Sequence, residues 1–195
     1  MIHKVPGSLA KIYETLNRPI IRTLAALVCV LLFIIARTTR PDVPFLPSTA
    51  DAVSVMLELG RVGPGDRVVD LGCGDGRIVV AAVRIPGVQG RCVDIDSRLI
   101  AKARENALKA GVADRIHFLN ANLFNTDISD ATVVMLYLDP KTNLRLRPKL
   151  WSELKPGTRV VSNEHDMGDW KPEAVRYARP NESETGAIYL WIVGR

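Results

Sequence analysis

Residues 68–76 read VVDLGCGDG: a short apolar run, an acidic residue, and three glycines at alternate positions. The run from Arg67 to Leu71 has the composition of a buried β-strand, and the glycines follow where that strand ends. Glycine has no Cβ and permits positive φ, so this spacing lets backbone amides approach a bound molecule closely. The stretch predicts a ligand-binding loop between a strand and a helix, in preference to a tight turn without a ligand.

The glycine loop differs from two common nucleotide-binding patterns. A dinucleotide-binding fingerprint has a small residue five positions after its first glycine, where this chain has Arg77, and no Walker Gly-Lys-Ser/Thr follows. Asp94 ends the next predicted strand, where a carboxylate can accept both hydroxyls of a ribose. The alternative is that Asp94 or Asp96 caps the helix that begins near Ser97. Loop and carboxylate together predict an adenosine ligand without phosphates.

Predicted strands and helices alternate around this stretch. The other strands are predicted at 91–95, 115–119, 132–138, 158–162 and 186–193, and the helices at 49–59 (capped by Ser48), 78–84, 98–110 and 142–154. This alternation predicts an α/β fold with a doubly wound, mostly parallel sheet and a terminal antiparallel pair, in which 186–193 is an edge or hairpin strand. Ligands of such sheets bind beyond the carboxyl ends of the strands, where the strand order reverses.

The net charge of +5 belongs to the first part of the chain. Residues 1–40 hold six Lys or Arg and one Glu, whereas the remaining 155 residues hold 20 basic and 20 acidic side chains. This balance gives no reason to expect nucleic acid as a partner. Cys29, Cys73 and Cys92 are widely spaced and fit neither a disulfide framework nor a metal site, which indicates a reducing compartment and no bound metal.

Residues 23–36, TLAALVCVLLFIIA, carry no charge. As a helix they would span about 21 Å, less than the ~30 Å hydrocarbon core, but a helix over about 20–36 comes closer if Arg22 reaches the headgroups. The segment can be a signal peptide, a buried core helix or an uncleaved anchor. No small-x-small cleavage site follows and no polar residue recurs at helical spacing, which favours the anchor.

We therefore expect three parts: a basic segment with a membrane-anchor helix over 1–40, a proline-rich linker and leading helix over 41–65, and the main domain over 66–195. Positive charge before the apolar stretch favours a domain outside the cytoplasm, whereas Arg37 and Arg40 after it favour one inside. We expect the catalytic domain to face the cytoplasm.

Two of these stretches, DLGCGDGRI at 70–78 and VDID at 93–96, resemble motif I and its acidic partner in seven-strand, S-adenosylmethionine-dependent methyltransferases. A closer resemblance is carried by VPFLP at 43–47, LRPKLWSELKPGTRVVSNE at 146–164 and GDW at 168–170. These look like the family of archaeal broad-specificity protein lysine methyltransferases and mitochondrial lysine methyltransferases of the ATP synthase c subunit and the adenine nucleotide translocase. The resemblance covers roughly residues 42–193.

This resemblance implies a Rossmann-like seven-strand sheet, S-adenosylmethionine as cofactor, and transfer of its methyl group to lysine side chains of proteins, including membrane proteins. By the same resemblance, Asp70, Gly72 and Gly74 face the methionine end of the cofactor. Asp94 faces the ribose and Asn122 the adenine.

Methyl transfer chiefly requires alignment and exclusion of water, but an ammonium acceptor must first lose a proton. Asp139, Tyr137 and Glu164 stand at predicted strand ends and are the candidates for assisting that loss, although each also has a possible structural role. Phe45 and Trp170 are predicted to line the acceptor pocket. The alternatives are a small-molecule or lipid-quinone methyltransferase and a non-catalytic domain that binds an adenosine ligand.

Overall fold

The computed structural model describes residues 23, 24, 26–30, 48–179 and 186–194. The chain divides into two compact units, residues 1–40 and 41–195. In the first unit the described residues are helical, and the rest of the predicted apolar helix over 20–36 lies outside them. Among the residues described, no helix is both long enough and apolar enough to cross a membrane.

The second unit is built on a seven-stranded sheet of order β3-β2-β1-β4-β5-β7-β6. Its strands are β1 Arg67–Leu71, β2 Gln89–Asp94, β3 Ile116–Asn120, β4 Val133–Leu136, β5 Arg159–Asn163, β6 Ala174–Tyr177 and β7 Ala187–Ile192. Its helices are α1 Ala50–Leu59, α2 Arg77–Val83, α3 Ser97–Lys109 and α4 Pro140–Glu153, with short 3-10 turns at Ala113–Arg115 and Leu123–Asn125. The predicted α/β sheet is confirmed.

Strands β1 to β5 are parallel, and β7 pairs antiparallel with both β5 and β6. The antiparallel pair was expected, but the strand near the C-terminus lies inside the sheet and the edge is β6. Sequence analysis missed β6 because it has only four residues, three of them exposed, and so lacks an apolar pattern.

Alternate strand residues pack on opposite faces of the sheet, so the core has two parts. Val68 and Met135 belong to the cluster that also holds buried residues of α1, α2 and α3. Val69 and Leu136 belong to the cluster that holds buried residues of α4 together with Trp191. Helices therefore cover both faces, as the alternation of elements predicted.

Each helix begins one or two residues away from its predicted start, and two of these differences concern a capping residue. The Thr49 hydroxyl accepts the Ala52 amide proton at 3.2 Å and caps α1, so the predicted cap Ser48 is wrong by one residue. Helix α4 begins at Pro140, because a proline at the first helical position lacks only an amide proton that has no helical partner there. Asp139 is thereby placed as the residue that caps α4.

Candidate functional site

The candidate site lies along the edge of the sheet that is formed by the carboxyl ends of the parallel strands β1 to β5. From β1 the chain continues to β2 and β3 on one side, and it then crosses over to β4 and β5 on the other side. This reversal beside β1 opens the sheet where ligands bind in such folds. Because the five strands are parallel, the residues that follow them meet at the same edge. Those predicted from the sequence are Asp70, Gly72, Gly74, Asp94, Asn122, Tyr137, Asp139 and Glu164.

The glycine loop after β1 is tied to the end of β2. The amides of Gly72 and Cys73 donate to the Val93 carbonyl at 2.8 and 3.0 Å, and the Gly74 amide donates to Asp94 Oδ2 at 2.9 Å. Asp94 Oδ1 accepts the Asp96 amide proton at 2.9 Å. Each carboxylate oxygen keeps a second lone pair, so Asp94 holds the loop and can still accept ribose hydroxyls.

The alternative role for Asp94, capping α3, belongs to its neighbour. Asp96 is the N-cap of α3, and its Oδ1 accepts the Arg98 amide proton at 2.9 Å. Asp94 is therefore left to bridge β2 and the glycine loop.

Two glycines of the loop are required by their surroundings. Gly76 has φ of +77°, and a Cβ on it would lie 2.8 Å from Ala103 Cβ on α3. Gly76 thus allows α3 to pack closely against the start of α2. In the dinucleotide fingerprint the small residue with this role stands one position later, where this chain has Arg77. Gly72 has φ of +76°, and a Cβ there would lie 2.6 Å from Leu138 Cδ2. Gly72 therefore packs against Leu138, two residues after the end of β4, as well as shaping the loop.

Arg77 and Asp75 form a pair within the loop that sequence analysis missed. Arg77 donates to both carboxylate oxygens of Asp75 at 3.0 and 2.7 Å and to the Ser48 carbonyl at 2.7 Å. Burial favours neutral Asp75, but the hydrogen bonds and charge of Arg77 lower the pKa of its carboxyl. Asn106 on α3 donates to the Asp75 carbonyl at 2.9 Å. The pair fixes the loop against α3 and the start of α1.

Asp70 is the most deeply buried acid of the edge. It is 1% exposed, and its Oδ2 has no hydrogen-bond partner in the described chain. Burial, together with the charges of Asp94 and Asp75, raises the pKa of Asp70 to about 8 against the opposing effect of a hydrogen bond from the Val79 amide. Asp70 is thus largely protonated at neutral pH and lies beside the carboxylates of Asp94 and Asp75, an acidic surrounding that suits a ligand with a cationic sulfur and amino group and disfavours a phosphate. The acidic side chains at this position fit S-adenosylmethionine.

Cys73 and Cys92 form a disulfide, with their Cα atoms 5.4 Å apart. The expectation that the cysteines do not pair is wrong because sequence spacing does not show which residues a parallel register brings together. Cys92 is the register partner of Asp70, three residues before Cys73. The disulfide is a second link between the loop and β2.

Asn122 follows β3, whose last residue is the register partner of Asp94. Its Oδ1 accepts the Phe124 amide proton at 2.9 Å and caps a short 3-10 turn. Asn122 therefore sits one strand beyond the predicted ribose residue, in the order that an adenosine lying across the edge requires.

Tyr137 and Glu164 come together on the other side of β1. Burial, and then a hydrogen bond with Glu164, raise the pKa of Tyr137 to about 12. The His165 ring stacks on Tyr137, with centroids 6.4 Å apart and planes at 26°. Glu164 has φ of +63°, a conformation that costs a non-glycine residue on the order of 1–3 kcal/mol. Two of the three residues predicted to assist proton loss from the methyl acceptor, Tyr137 and Glu164, are thus in contact.

Asp139, the third candidate for proton removal, is engaged elsewhere. Its Oδ1 accepts the amide protons of Lys141 and Thr142 at 2.9 and 3.2 Å, and its Oδ2 accepts the Thr142 hydroxyl proton at 2.6 Å. Burial favours the neutral acid, but these hydrogen bonds lower the pKa of Asp139. The structure places it as the N-cap of α4.

Trp170 lies in an aromatic cluster with Trp151 and Trp191, at centroid distances of 5.4 and 5.7 Å. The buried Trp191 indole donates to the Trp170 carbonyl at 2.7 Å. Phe45, the other predicted pocket residue, lies outside the described residues. Within the described ranges, no group of three or more His, Cys, Asp or Glu side chains has the arrangement of a metal site.

Comparison with known proteins identifies related methyltransferases. The model of the ANTKMT methyltransferase domain matches residues 70–174. A protein-lysine N-methyltransferase of Saccharolobus islandicus (strain REY15A) is 42% identical over 156 residues, which cover 79% of this chain and 96% of that enzyme. The adenine nucleotide translocase lysine N-methyltransferase of Mus musculus is 35% identical over 136 residues, which cover 70% of this chain but only 59% of that enzyme.

A related solved structure is that of an RNA methyltransferase from Salinibacter ruber in complex with S-adenosylhomocysteine. It is 46% identical, with a TM-score of 0.71, and the match covers 76% of this chain and 94% of that one. The predicted cofactor, S-adenosylmethionine, is confirmed by these matches. The names of the relatives nevertheless give two different acceptors, protein lysine and RNA.

The buried carboxyl of Asp70 predicts an unusual dependence of stability on pH. Its pKa is about 8 in the folded chain and about 3.9 when unfolded, so its contribution to stability is fully present below pH 4 and is lost as pH rises through 8. Between pH 5 and 9, Asp70→Asn should gain at least about 1 kcal/mol in unfolding free energy relative to wild type. Urea denaturation without cofactor measures this. Exposed Asp114→Asn should show no such gain, and a pH-independent difference for Asp70→Asn would contradict the assignment.

Gly72→Ala should weaken both the fold and the site. The positive φ and the collision with Leu138 predict a loss of about 1–3 kcal/mol in unfolding free energy. We also expect binding of S-adenosylhomocysteine, measured by calorimetry, to weaken at least tenfold, by about 1.4 kcal/mol. Gly63→Ala is the matched control, because a Cβ there meets no atom closer than 4.0 Å. Wild-type affinity in Gly72→Ala would show that the loop does not hold the cofactor.

Proposed function

This chain belongs to the ANTKMT methyltransferase domain family, and on that premise we propose that it transfers the methyl group of S-adenosylmethionine to lysine side chains of proteins. The observation that carries the proposal is the charge of the site. The carboxylates of Asp94, at the end of β2, and of Glu164, after β5, stand along the edge where the cofactor and the acceptor meet, and they favour a cationic acceptor.

The same charge argues against RNA as the acceptor. An RNA-binding groove requires Lys and Arg side chains to neutralise phosphates. Here Arg77, the basic residue of the loop, is paired with Asp75, and residues 41–195 carry equal numbers of acidic and basic side chains. A phosphate near the carboxylates of Asp94 and Glu164 would be repelled, whereas a lysine ammonium is attracted.

On the cofactor side, the proposed role of the protein is to hold and orient S-adenosylmethionine. S-adenosylmethionine supplies an electrophilic methyl group on a positively charged sulfur. Asp94 accepts the ribose hydroxyls, Asn122 lies by the adenine, and Asp70, Gly72 and Gly74 face the methionine end. Because the protein's own hydrogen bonds to β2 hold the loop, little ordering is required on binding.

On the acceptor side, Glu164 orients the lysine ammonium and receives its proton, which passes to solvent because Glu164 is exposed. Tyr137 remains a phenol at neutral pH, since its pKa is about 12, and therefore acts as a hydrogen-bond donor to Glu164 and not as a base. The rings of Tyr137 and His165 flank the alkyl chain. Asp139 contributes by fixing the start of α4.

Phe45 and Trp170 complete the proposed acceptor pocket. Ser48, three residues after Phe45, is buried and connected to Arg77 of the loop and to Asn163 at the end of β5. The described start of α1 therefore lies beside the site, which supports a place for the preceding aromatic residue there. Trp170 follows β5 in the segment after Glu164 and would form the rim.

A membrane location is the second element of the proposal. The uncharged stretch 23–36 and the surrounding basic residues support attachment to a membrane, with the catalytic unit facing the cytoplasm. A membrane-bound enzyme would meet lysines close to the lipid surface. The apolar stretch also suits the alternative acceptor, a lipid such as a quinone.

Methyl-labelled S-adenosylmethionine distinguishes the acceptors. Purified enzyme is incubated with isolated membranes, with soluble protein and with total RNA, and each fraction is treated with protease, nuclease or organic solvent. We expect protease-sensitive label that acid hydrolysis recovers as methyl-lysine, mainly from membranes. Nuclease-sensitive label would show that the methyl acceptor is RNA and not lysine, and label in the organic extract would show that it is a lipid. Cofactor binding without transfer to any fraction would indicate a non-catalytic domain.

Glu164→Gln tests the acceptor side alone. Loss of the carboxylate should lower kcat/KM for a lysine peptide by about 10²–10⁴-fold, the usual range for a positioned acid or base. The dissociation constant for S-adenosylhomocysteine should stay within about twofold of wild type, because the cofactor residues follow other strands. Glu105→Gln, in an exposed ion-pair cluster on α3, is the matched control. Equal activity of the two variants would remove Glu164 from the mechanism.

A further inference from the structure

Asn143 is a buried polar residue to which the proposed mechanism gives no role. It lies on α4, one turn after the capping residue Asp139, and its exposed fraction is 0%. An amide in such a position loses its hydration on folding, which makes internal hydrogen bonds important. The Asn143 Nδ2 group finds such partners, whereas its Oδ1 has none among the described residues. The position of those partners shows what Asn143 holds in place.

All three partners of the Asn143 amide group belong to β5 and the turn that follows it. Asn143 Nδ2 donates to the Ser162 hydroxyl at 3.1 Å, to the His165 carbonyl at 3.1 Å and to the Asp166 carbonyl at 3.4 Å. Ser162 is itself fully buried. The contacts therefore span Glu164 on both sides along the chain, without touching its side chain.

Glu164 needs such support because of its backbone. Its φ of +63° is unfavourable for a residue with a Cβ. The Glu164 amide donates to the Ala187 carbonyl of β7 at 2.7 Å, and the His165 amide donates to the Asn163 carbonyl at 2.8 Å. The first bond holds the turn from the β7 side, and the second lies within the turn itself. Asn143 holds the turn from α4.

We infer that Asn143 is a positioning residue for methyl transfer: its buried amide fixes the turn at 162–166 and so directs the Glu164 carboxylate at Tyr137 and the acceptor. This rests on the proposed function, in which Glu164 acts on the acceptor. Asn143 does not touch the reacting atoms, and its effect passes entirely through Glu164.

A double-mutant cycle tests this, using full-length enzyme with a lysine peptide or the labelled membrane acceptor. Asn143→Leu removes the donor with little change in volume and should lower kcat by about 10–100-fold, the loss that small misplacement of a catalytic group produces. The dissociation constant for S-adenosylhomocysteine should remain within about twofold. Because Asn143 acts through Glu164, adding Asn143→Leu to Glu164→Gln should lower kcat by less than about twofold.

Leu146→Ala is the matched control, since Leu146 is also fully buried on α4 but has an apolar side chain that cannot hydrogen-bond to the turn. It belongs to the apolar cluster of that face. It should lower the melting temperature, keep most of kcat, and act independently of Glu164→Gln. Where Asn143→Leu does not fold, Asn143→Ser replaces it, because a smaller side chain cannot overpack and a hydroxyl cannot serve three acceptors.

The possible failures are distinguishable. If Glu164→Gln has wild-type activity, the proposed function of the acceptor site fails. If Glu164→Gln is impaired but Asn143→Leu or Asn143→Ser is not, or if the two losses multiply in the double variant, Asn143 does not position Glu164 and the inference is overturned.

Discussion

The parallel pairing of β1 with β2 on one side and with β4 on the other is the constraint on which the whole site depends. It places a strand end with a glycine loop at the point where the strand order reverses, and it brings Asp94 to within 2.9 Å of the Gly74 amide. It also brings Leu138 against Gly72. The loop is therefore shaped by both neighbours of β1, and through Leu138 it is connected to the segment after β4 that carries Tyr137.

Several features of this edge oppose folding. Asp70 is buried with an unpartnered oxygen, its ionisation is opposed by two neighbouring carboxylates, and Glu164 has a left-handed backbone. Such features persist only where the surrounding structure compensates for them. Here two apolar clusters on opposite faces of the sheet supply that compensation. The hydrogen bond that Asp94 accepts from Gly74 and those that Asn143 donates fix the two loops.

Much of the cofactor side could be predicted from the sequence because its information is local. Strand β1, the glycine loop and Asp94 occupy 28 residues from 67 to 94, and each carries its own signal in composition or spacing. The remaining features depend on tertiary contacts. Nothing in the sequence distinguishes Ser48 from Thr49 as a cap, shows that Cys73 meets Cys92, or marks Asn143 as an amide that holds another loop. A glutamate with positive φ gives no sequence signal at all.

This difference bears on how the acceptor is chosen within the family. In the proposed function the glycine loop and Asp94 recognise S-adenosylmethionine, whatever the methyl acceptor, so they would not decide between the protein lysine and the RNA for which the relatives are named. That decision falls to residues that follow β4 and β5, where α4 and β7 fix the turn around Glu164. A negatively charged, oriented side chain there favours an ammonium over a nucleotide. On the proposed function, acceptor specificity is therefore a property of the α4, β5 and β7 contacts, and a change of acceptor would require a change in that turn even when the cofactor loop is kept.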